Sequence, residues 1–429
     1  MKKGTVLTAH IDKLIPGGQA LATLESGQKA FIWNALPGED VTFSVTKAKS
    51  SYVEGIATEI KNPNPHRIES KDSCYLSTSP WQIMDFDYEL AQKTALVAES
   101  FRQEHINLSE LKPCVTDNNP YHYRNKMEYA LYWDNDEKCV YLALHARGSH
   151  RKEKIAISSL EHPKILQRAL ETVSELNSRH EEARKYQSLL LRCDQQGNVS
   201  GGLFENGKPH PVFDNLTDEI LGVKYSYSPN GFFQINLPVY ELALKEIKKH
   251  IKTDNVLDLY SGVGTIGLSV ARDKNLTLVE CNTSAYTELV KNCKITGDED
   301  ISFREHPQAT AEDETPDTRD GGLAGRRFQK EISHPYITPV LAKSEDALEY
   351  ISPDQTVILD PPRAGCDRKL LDKLLEQTPE VIIYLSCNPT TQARDVAILL
   401  QKYRIKDVTT FNFFPRTPHI ENLVILEKL

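Results

Sequence analysis

The stretch NVLDLYSGVGTIGLSVA, from Asn255 to Ala271, decides the fold of the C-terminal half of the chain. It combines an apolar run of strand character, a glycine-rich turn and a stretch with helical spacing. Gly262, Gly264 and Gly267 have the spacing of dinucleotide-binding turns, in which glycine lets the backbone turn tightly and approach a ligand closely. The stretch therefore predicts a strand, a ligand-binding turn and a helix, in that order.

From about residue 236 onward, apolar strand-like runs alternate with helical stretches, as is typical of a doubly wound parallel sheet. One strand ends at Glu280, whose carboxylate could accept hydrogen bonds from a ribose diol. Another ends in ILDPPRAG, which places Asp360 at the carboxyl edge of the sheet, where ligands bind in such folds. The pattern serves both NAD and S-adenosylmethionine. Asp258, just before the glycines, favours a methyltransferase, while a simple capping role for Asp360 stays open.

The rest of the chain divides at two changes of pattern. Residues 1–60 alternate apolar and polar side chains between glycine turns, which predicts about five short strands in a small barrel, oligonucleotide-binding or SH3-like. Residues 61–235 have mixed patterns and predict a central α+β domain. We therefore expect an α/β protein whose residues 236–429 form a Rossmann-like domain, with 304–335 as an exposed, charged insertion. Within 61–235, helices are predicted near 88–105 and 163–186, and strands near 124–133 and 140–145.

Composition and charge narrow the class of protein. The 429 residues are 39% hydrophobic and 26% charged, with a net charge of −9. An acidic total argues against a uniformly basic surface, although the basic stretch His145–Lys154 could still meet nucleic acid. The N-terminus lacks the apolar core of a signal peptide, and no run reaches the roughly 18 apolar residues of a membrane helix. We expect a cytoplasmic chain without a membrane partner, and a monomer by default.

Cys387 follows a buried strand in the segment EVIIYLSCNPTT, Glu380–Thr391, and should lie beside Asp360 at the same sheet edge. Because a loop or a helix N-terminus can stabilise a thiolate there, the residue could be a nucleophile. An inert core thiol is equally compatible with this position. A metal ligand is disfavoured, because no companion cysteine or histidine has ligand spacing, and no CxxC pair occurs among the eight cysteines. We predict no metal site.

Five motifs occur in the order found in the RNA uracil-C5 methyltransferases, the 5-methyluridine family, which the chain resembles. They are GFFQIN (231–236), LDLYSGVGTIGL (257–268), LDPPRAG (359–365), LSCNP (385–389) and FPRTPHIE (414–421). The first 60 residues resemble the TRAM domain that ribosomal-RNA members of the family carry. The resemblance implies S-adenosylmethionine-dependent methylation of carbon 5 of a uridine in RNA, with 23S ribosomal RNA favoured over transfer RNA.

By that resemblance, Cys387 is the nucleophile and Glu421 is the base. Addition of a thiolate to carbon 6 of uracil makes carbon 5 nucleophilic, and a base then removes the carbon-5 proton. Thr265 and Ser344–Asp346 lie near further contact positions of the family. The implied cofactor contacts are Gln234, Tyr260, Gly262, Gly264, Glu280 and Asp360.

The target base must be flipped out of its stack or met in single-stranded RNA. Phe232 and Phe233 are candidates for holding the base, and Arg124 and Lys126 are candidates for contacting RNA. Three alternatives stay open: a transfer-RNA uracil-C5 methyltransferase, an RNA-binding protein with a vestigial methyltransferase domain, and an amino-group methyltransferase. The last would need no cysteine.

The chain departs from many members of the family, which bind a [4Fe-4S] cluster through four cysteines. Cys74 remains, but Leu76–Ser79 replace a cysteine pair, and Ser158 and Ser159 lie where the last cysteine would fall. Serine does not substitute for a thiolate on such a cluster. We therefore predict no iron–sulfur centre.

Overall fold

The computed structural model describes residues 2–108, 111–149, 151–155, 157–179, 185–210, 212–296, 302–303 and 336–429, so the predicted insertion 304–335 lies outside the described residues. The strands, in chain order, are β1 (Val6–His10), β2 (Lys13–Leu14), β3 (Ala20–Thr23), β4 (Lys29–Trp33), β5 (Asp40–Ala48), β6 (Tyr52–Lys61), β7 (Lys126–Asp134), β8 (Cys139–His145), β9 (Lys152–Lys154), β10 (Ser188–Cys193), β11 (Val199–Glu205), β12 (Lys208–His210), β13 (Leu216–Ile220), β14 (Val223–Tyr227), β15 (Asn255–Leu259), β16 (Asn275–Glu280), β17 (Ser302–Phe303), β18 (Tyr336–Leu341), β19 (Gln355–Leu359), β20 (Val381–Ser386), β21 (Tyr403–Phe411) and β22 (Glu421–Lys428). The helices are α1 (Tyr75–Thr78), α2 (Phe86–Gln103), α3 (Pro163–Ser178), α4 (Leu237–Lys248), α5 (Thr265–Ala271), α6 (Thr283–Thr296), α7 (Arg368–Gln377) and α8 (Pro389–Leu399).

The N-terminal sheet has six strands in the order β1-β5-β6-β4-β3-β2, and only the β4–β6 pair is parallel. Alternate residues of β5 are buried, so that Val41, Phe43 and Val45 form the core while their neighbours face outward. The ladders among the described residues do not join β1 to β2, so the predicted small barrel is seen as a sheet without hydrogen-bonded closure. The sequence predicted about five strands; the additional short one, β2, has two residues.

The central sheet is antiparallel, in the order β12-β11-β10-β7-β8-β9, and α3 covers one of its faces. Ile165, Ala169 and Leu176 recur at helical spacing and pack in one cluster with Leu189 and Leu191 of β10. The predicted strands near 124–133 and 140–145 are confirmed as β7 and β8, and the helix near 88–105 as α2. Of the predicted helix at 163–186, residues Pro163–Ser178 form α3. Positions 180–184 lie outside the described part.

The C-terminal sheet has eight strands in the order β17-β18-β16-β15-β19-β20-β22-β21; β22 runs antiparallel to both of its neighbours, and all other adjacent pairs are parallel. Strands β19 and β20 are buried along their whole length, as expected for a sheet with helices on both faces. From β15 the chain adds β16 and β18 on one side of the sheet, and it then returns to add β19 and β20 on the other side. Such a switch point opens a crevice at the carboxyl ends of the strands. The predicted α/β class with a Rossmann-like C-terminal domain is confirmed.

Helix α2 joins the central part of the chain to the C-terminal domain. Its residues Leu96, Val97 and Phe101 share a core cluster with Val396 and Leu399 of α8. None of the helices in the described ranges has the length and apolar character that crossing a membrane requires.

Two buried charged side chains of α2 hold the segment between β21 and β22. Lys93 Nζ donates to Asn412 Oδ1 (2.6 Å) and to the carbonyl of Phe414 (3.0 Å). Glu89 Oε1 accepts from the backbone N–H of Arg416 at 2.9 Å. Because both side chains are buried, this segment has a fixed position above the sheet edge.

The N-terminal sheet reaches the same segment through Trp81. The indole N–H of Trp81 donates to the carbonyl of Gly18 (3.1 Å), and its backbone N–H donates to the carbonyl of Arg416 (3.1 Å). Gly18 has a φ of 92°, and a Cβ atom there would lie 2.2 Å from Cβ of Pro418. The turn at Gly18 therefore packs directly against the loop that leads to Glu421.

Candidate active site

A cavity of about 990 Å³ lies at the carboxyl edge of the C-terminal sheet. Its walls come from the glycine turn after β15, the loops after β19 and β20, the segment before β22, and residues 228–234. Lys126 and Gly264, both predicted as site residues, are not among the lining residues. The predicted site residues that line the cavity are Arg124, Gln234, Tyr260, Gly262, Glu280, Asp360, Cys387 and Glu421.

The glycine turn is held from below by two carboxylates. Glu280 Oε2 accepts from the N–H of Gly262 at 2.8 Å, and Asp258 Oδ2 accepts from the N–H of Gly267 at 2.8 Å. A Cβ at Gly262 (φ 57°) would meet no heavy atom within 4 Å, so this residue presents open backbone. Gly264 (φ 89°) differs, because a Cβ there would lie 2.6 Å from Leu289. Packing at the start of α5 therefore requires glycine at position 264.

The same wall carries polar atoms without partners among the described residues. Ser261 Oγ and Asp258 Oδ1 are buried and make no hydrogen bond. Burial raises the pKa of Asp258 to about 8. Tyr260, with a φ of 64°, is hydrogen-bonded to the side chain of Ser344 and lines the cavity. An unpartnered hydroxyl beside an open glycine backbone suits a polar ligand that supplies the missing hydrogen bonds.

Cys387 lies between β20 and α8, half-buried in the cavity wall. Burial raises the pKa of its thiol to about 11, and the nearby carboxyl groups of Glu421 and Asp360 raise it further, whereas Arg363 lowers it. The thiol is therefore protonated at neutral pH in the free protein. Ionisation requires a cation or a proton acceptor near the sulfur.

Two carboxyl groups face the thiol from the ends of β19 and β22, the strands on either side of β20. Glu421 begins β22 and is 6% exposed, and both burial and the neighbouring Asp360 raise its pKa well above the ordinary value. Burial alone raises the pKa of Asp360 to about 7. Carboxyl groups with raised pKa values exchange protons readily near neutral pH, which suits general acid–base chemistry. A surface position for Glu421 is excluded by its burial.

Arg363 connects the loop after β19 to the loop that carries Cys387. Its carbonyl accepts from Asn388 Nδ2 (2.9 Å) and from Thr391 Oγ1 (3.1 Å). Its guanidinium lies 2.8 Å from Nδ1 of His419. Arg363 and His419 both fall within motifs recognised in the sequence, but the sequence carried no signal for their contact, which spans 56 positions.

The aromatic pair after Gly231 divides into one core residue and one exposed residue. Phe233 is buried and stacks on Tyr227 with ring centroids 3.9 Å apart. Phe232 is 76% exposed and lines the cavity. Both candidates for holding a base line the cavity, but only Phe232 has most of its surface free for a partner.

The two predicted RNA-binding cations also differ. Arg124 lines the cavity, and its Nε donates to the carbonyl of Lys126. Lys126 Nζ donates to the carbonyls of Asn230 (3.2 Å) and Gly231 (3.1 Å), and burial lowers the pKa of Lys126 to about 8. Lys126 thus supports the backbone ahead of Phe232, and its ammonium does not enter the cavity lining.

The basic stretch 145–154 makes internal contacts within the described residues. Arg147 lies over the ring of Trp33, 4.1 Å from the centroid, and donates to the carbonyl of Leu76. Lys152 donates to the carbonyl of Leu131 at 2.9 Å, and Lys154 pairs with Asp134. These contacts tie the stretch to neighbouring strands, so it does not form a free basic ridge.

Polar side chains fill the region around Cys74. Asp72 Oδ2 accepts from the N–H of Ser159 (2.9 Å), from Ser159 Oγ (2.9 Å) and from Gln82 Nε2 (2.8 Å). Cys74 Sγ faces the carbonyl of Ile157 at 3.7 Å. Across the described ranges, no group of three metal-ligating side chains surrounds Cys74. The absence of an iron–sulfur centre stays a prediction.

One cluster of ligand-type side chains lies away from the cavity, formed by Glu246, His250 and Asp407. Its carboxylates already pair with lysines, Glu246 with Lys249 (2.6 Å) and Asp407 with Lys112 (2.6 Å). These ion pairs account for the cluster without a metal.

Comparison with known proteins agrees with this geometry. Residues 348–429 match the family model described as tRNA (Uracil-5-)-methyltransferase, and residues 1–58 match the TRAM domain. A protein of Bacillus anthracis named an uncharacterized RNA methyltransferase is 27% identical over 99% of this chain and 97% of its own length. One from Enterococcus faecalis with the same name is 26% identical over 100% of this chain and 98% of its own length.

A solved structure shares the whole fold. It is the Pyrococcus abyssi tRNA (uracil-54, C5)-methyltransferase in complex with S-adenosyl-L-homocysteine, 21% identical, with a TM-score of 0.70 over 98% of this chain and all of that chain. The order of motifs, the family model, the TRAM match and the full-length relatives agree. The chain is therefore similar along its whole length to RNA methyltransferases, with a tRNA (Uracil-5-)-methyltransferase match over residues 348–429 and a TRAM match over residues 1–58.

Proposed function

We propose that the protein methylates carbon 5 of a uridine in the large ribosomal RNA through a transient bond between Cys387 and carbon 6. The observation that carries the proposal is the convergence of Cys387, Asp360 and Glu421 in one cavity with the open glycine turn. The thiol, the buried carboxyl group of Glu421 and the glycine turn meet at the switch point of the sheet, where reacting groups can be held together.

The residues of the glycine turn fit S-adenosylmethionine. Ser261 Oγ lacks a partner, Gly262 offers open backbone, and Glu280 lies at the end of β16 beside both. When bound, S-adenosylmethionine supplies an electrophilic methyl group. Tyr260, Gln234 and the residues of this wall would hold it.

The chain's own residues account for the remaining chemistry. The Cys387 thiol passes its proton to the neighbouring carboxylate of Asp360, and the thiolate forms an S–C6 bond while the electron pair of the C5=C6 double bond moves into the ring to give an enolate. Carbon 5 would then take the methyl group of bound S-adenosylmethionine, whose sulfur–methyl bond would break to release S-adenosylhomocysteine. Glu421 takes the carbon-5 proton, the C5=C6 bond re-forms, and the sulfur leaves as thiolate. The raised pKa of Glu421 suits a group that must gain a proton in a water-poor cavity.

The N-terminal domain supports the proposed choice of ribosomal RNA. The TRAM match and the resemblance to ribosomal-RNA members favour ribosomal RNA. Transfer RNA is the second candidate, because the Pyrococcus abyssi protein that shares the fold is named for uracil-54 of tRNA. The cytoplasmic location and the monomeric state remain predictions.

A mechanism-based trap tests the proposal. A transcript of the large ribosomal RNA that contains 5-fluorouridine should form a covalent complex in the presence of S-adenosylmethionine, because fluorine on carbon 5 cannot leave as a proton. Cys387→Ala should abolish the complex, while Cys281→Ser, which alters an exposed cysteine, should preserve it. A complex formed only with transfer RNA would move the substrate but keep the mechanism. A wild-type protein that forms none with either RNA would sink the covalent proposal.

A further inference from the structure

We propose that Arg363 and His419 act as a functional pair, in which Arg363 compensates the charge of the Cys387 thiolate and His419 donates a hydrogen bond to the target pyrimidine. The inference rests on the proposed function, because both roles serve covalent attack on a base. It assigns chemistry to two side chains that line the cavity beside the nucleophile.

The contact between the two side chains fixes the tautomer of the histidine. A guanidinium has only donors, so His419 Nδ1, which lies 2.8 Å from Arg363, must be the acceptor. The ring proton of neutral His419 is therefore on Nε2. Protonation of Nδ1 would break this hydrogen bond and bring two cations together. The cavity environment and the surrounding cations Arg363, Lys93, Arg124 and Arg147 lower the pKa of His419 to about 4.

The Nε2–H group of His419 has no hydrogen-bond partner in the described part of the chain, and the imidazole lines the cavity. A pyrimidine presents carbonyl oxygens that accept such a bond. When sulfur adds to carbon 6, negative charge collects on a ring carbonyl oxygen, and a fixed N–H donor stabilises this charge more than the ground state. His419 is therefore assigned as that donor.

Arg363 faces the sulfur itself. Arg363 and Cys387 line the same cavity, and Arg363 lowers the pKa of the thiol, whereas the other charged groups that face the thiol, Glu421 and Asp360, are acidic and raise it. Its backbone is tied to Asn388 and Thr391, which follow the cysteine directly. The backbone of Arg363 is thus fixed next to the loop that carries Cys387, and its guanidinium is oriented by His419 before any substrate arrives.

The role of Arg363 can be measured without RNA. We would follow alkylation of Cys387 by iodoacetamide from pH 7 to 10, quantified on the Cys387 peptide by mass spectrometry, in otherwise wild-type protein. Arg363→Gln should slow alkylation at pH 8 by roughly tenfold and shift the pH profile upward by about one unit. Arg363→Lys should restore most of the rate, because a cation is regained.

The matched control is Arg368→Gln, which removes the same charge from an exposed arginine of the following helix that pairs with Asp372. It should leave the profile of Cys387 unchanged. If Arg363→Gln and wild type alkylate with the same pH profile, the charge-compensation role is overturned. Should the glutamine variant fail to fold, the comparison of Arg363→Lys and Arg363→Met by the same labelling decides the question.

The role of His419 is tested with the 5-fluorouridine transcript. His419→Ala should slow formation of the covalent complex by roughly 10²-fold, as is found when one preorganised donor is removed. His419→Gln, which keeps an N–H near the position of Nε2, should recover part of that rate. Iodoacetamide labelling of Cys387 should be nearly unaffected in both. An unchanged rate of complex formation in His419→Ala overturns the donor role.

The two proposals can fail separately. If wild type forms no complex with ribosomal or transfer RNA, the covalent function and the donor role of His419 fall together. The effect of Arg363 on alkylation is independent of RNA, so it stands or falls on the labelling experiment alone.

Discussion

The sulfur of Cys387 lies between groups that oppose its ionisation and one group that favours it. Burial, Glu421 and Asp360 keep the proton on the thiol, and Arg363 pulls in the other direction. In the free protein, the proposed nucleophile is therefore largely a protonated thiol. This arrangement protects the sulfur from casual alkylation and oxidation, and it leaves activation to the arrival of RNA and cofactor.

Glu421 should control only the last chemical step. In Glu421→Gln, the carbon-5 proton has no acceptor, so turnover on unmodified RNA should fall by roughly 10²–10⁴-fold. The covalent complex should persist and be visible on a denaturing gel. Glu427→Gln is the control, because Glu427 lies on the same strand but pairs with Lys252 at the opposite end. Normal turnover in Glu421→Gln would assign the base to another group.

The pKa of Asp258 gives the fold a pH dependence with a definite sign. Burial raises this pKa from 3.8 to about 8, so between these values the folded protein retains a proton that the unfolded chain has lost. Stability should therefore decrease as the pH rises from about 4 to 8. Asp258→Asn, which keeps an oxygen for the N–H of Gly267, should flatten this decrease in urea unfolding at pH 5 and pH 8. A slope equal to that of wild type would contradict the assignment.

At this scale the sequence predicted that Cys387, Asp360 and Glu421 lie together, because each is at a strand end next to a distinctive motif, and the structure places all three in one cavity. Their reacting roles stay predictions, and their surroundings were not predicted. Two contacts depend on loops that meet only in the folded chain. They are the hydrogen bond from Lys126 to the carbonyl of Gly231 and the contact of Arg363 with His419. Local pattern carries no information on such contacts.

At the scale of elements, the hydrogen bonds of Asp72 join the segment before α2 to the loop before α3. The carboxylate is 7% exposed and accepts three hydrogen bonds from Gln82 and Ser159. Oxygen and nitrogen atoms of these three side chains and of the Ser159 backbone thus link the two segments.

Asp72→Ala should leave buried donors of Ser159 and Gln82 without an acceptor. We expect the free energy of unfolding to decrease by about 2–4 kcal/mol, measured by urea unfolding. Glu69→Ala removes an exposed carboxylate from the same segment and should change it by less than about 0.5 kcal/mol. Equal stability of the two variants would show that the Asp72 contacts contribute little.

Most elements followed from apolar periodicity. Strands β19 and β20 are continuous apolar runs, and α2 and α3 have helical spacing. The two-residue strand β2 was missed, because so short a run has no period. The packing of α2 on α8 was equally unpredictable, since apolar spacing identifies a buried face but not the element that covers it.

At the scale of the whole molecule, three parts of the chain converge on the segment before Glu421. Helix α2 supplies Lys93 and Glu89, and the N-terminal sheet supplies the turn at Gly18. The base of the proposed reaction is therefore positioned by residues far from it in sequence. A substitution in the turn at Gly18 should therefore shift this segment and slow the proposed reaction.

Gly18 and its neighbour Gly17 form a matched pair for testing this coupling. Both have φ values in the left-handed region, 92° and 95°, but a Cβ at Gly17 would meet nothing within 4 Å, whereas one at Gly18 would meet Pro418. Gly17→Ala should lower stability by about 1 kcal/mol through backbone strain alone. Gly18→Ala should lower it by about 2 kcal/mol more and also slow formation of the covalent complex.

Urea unfolding and the 5-fluorouridine trap measure the two effects side by side. If the two variants behave alike, the contact between the N-terminal sheet and the loop of Pro418 has no functional weight.

The indole of Trp81 and the bare backbone of Gly18 also set a condition for swapping parts between relatives. A chimera that receives a foreign N-terminal sheet must bring a glycine and a free carbonyl to this place, because a side chain at position 18 would clash with Pro418 in the loop that leads to Glu421. The turn at Gly18 and the segments that carry Trp81 and Pro418 therefore have to be exchanged together, and we expect them to change together among relatives.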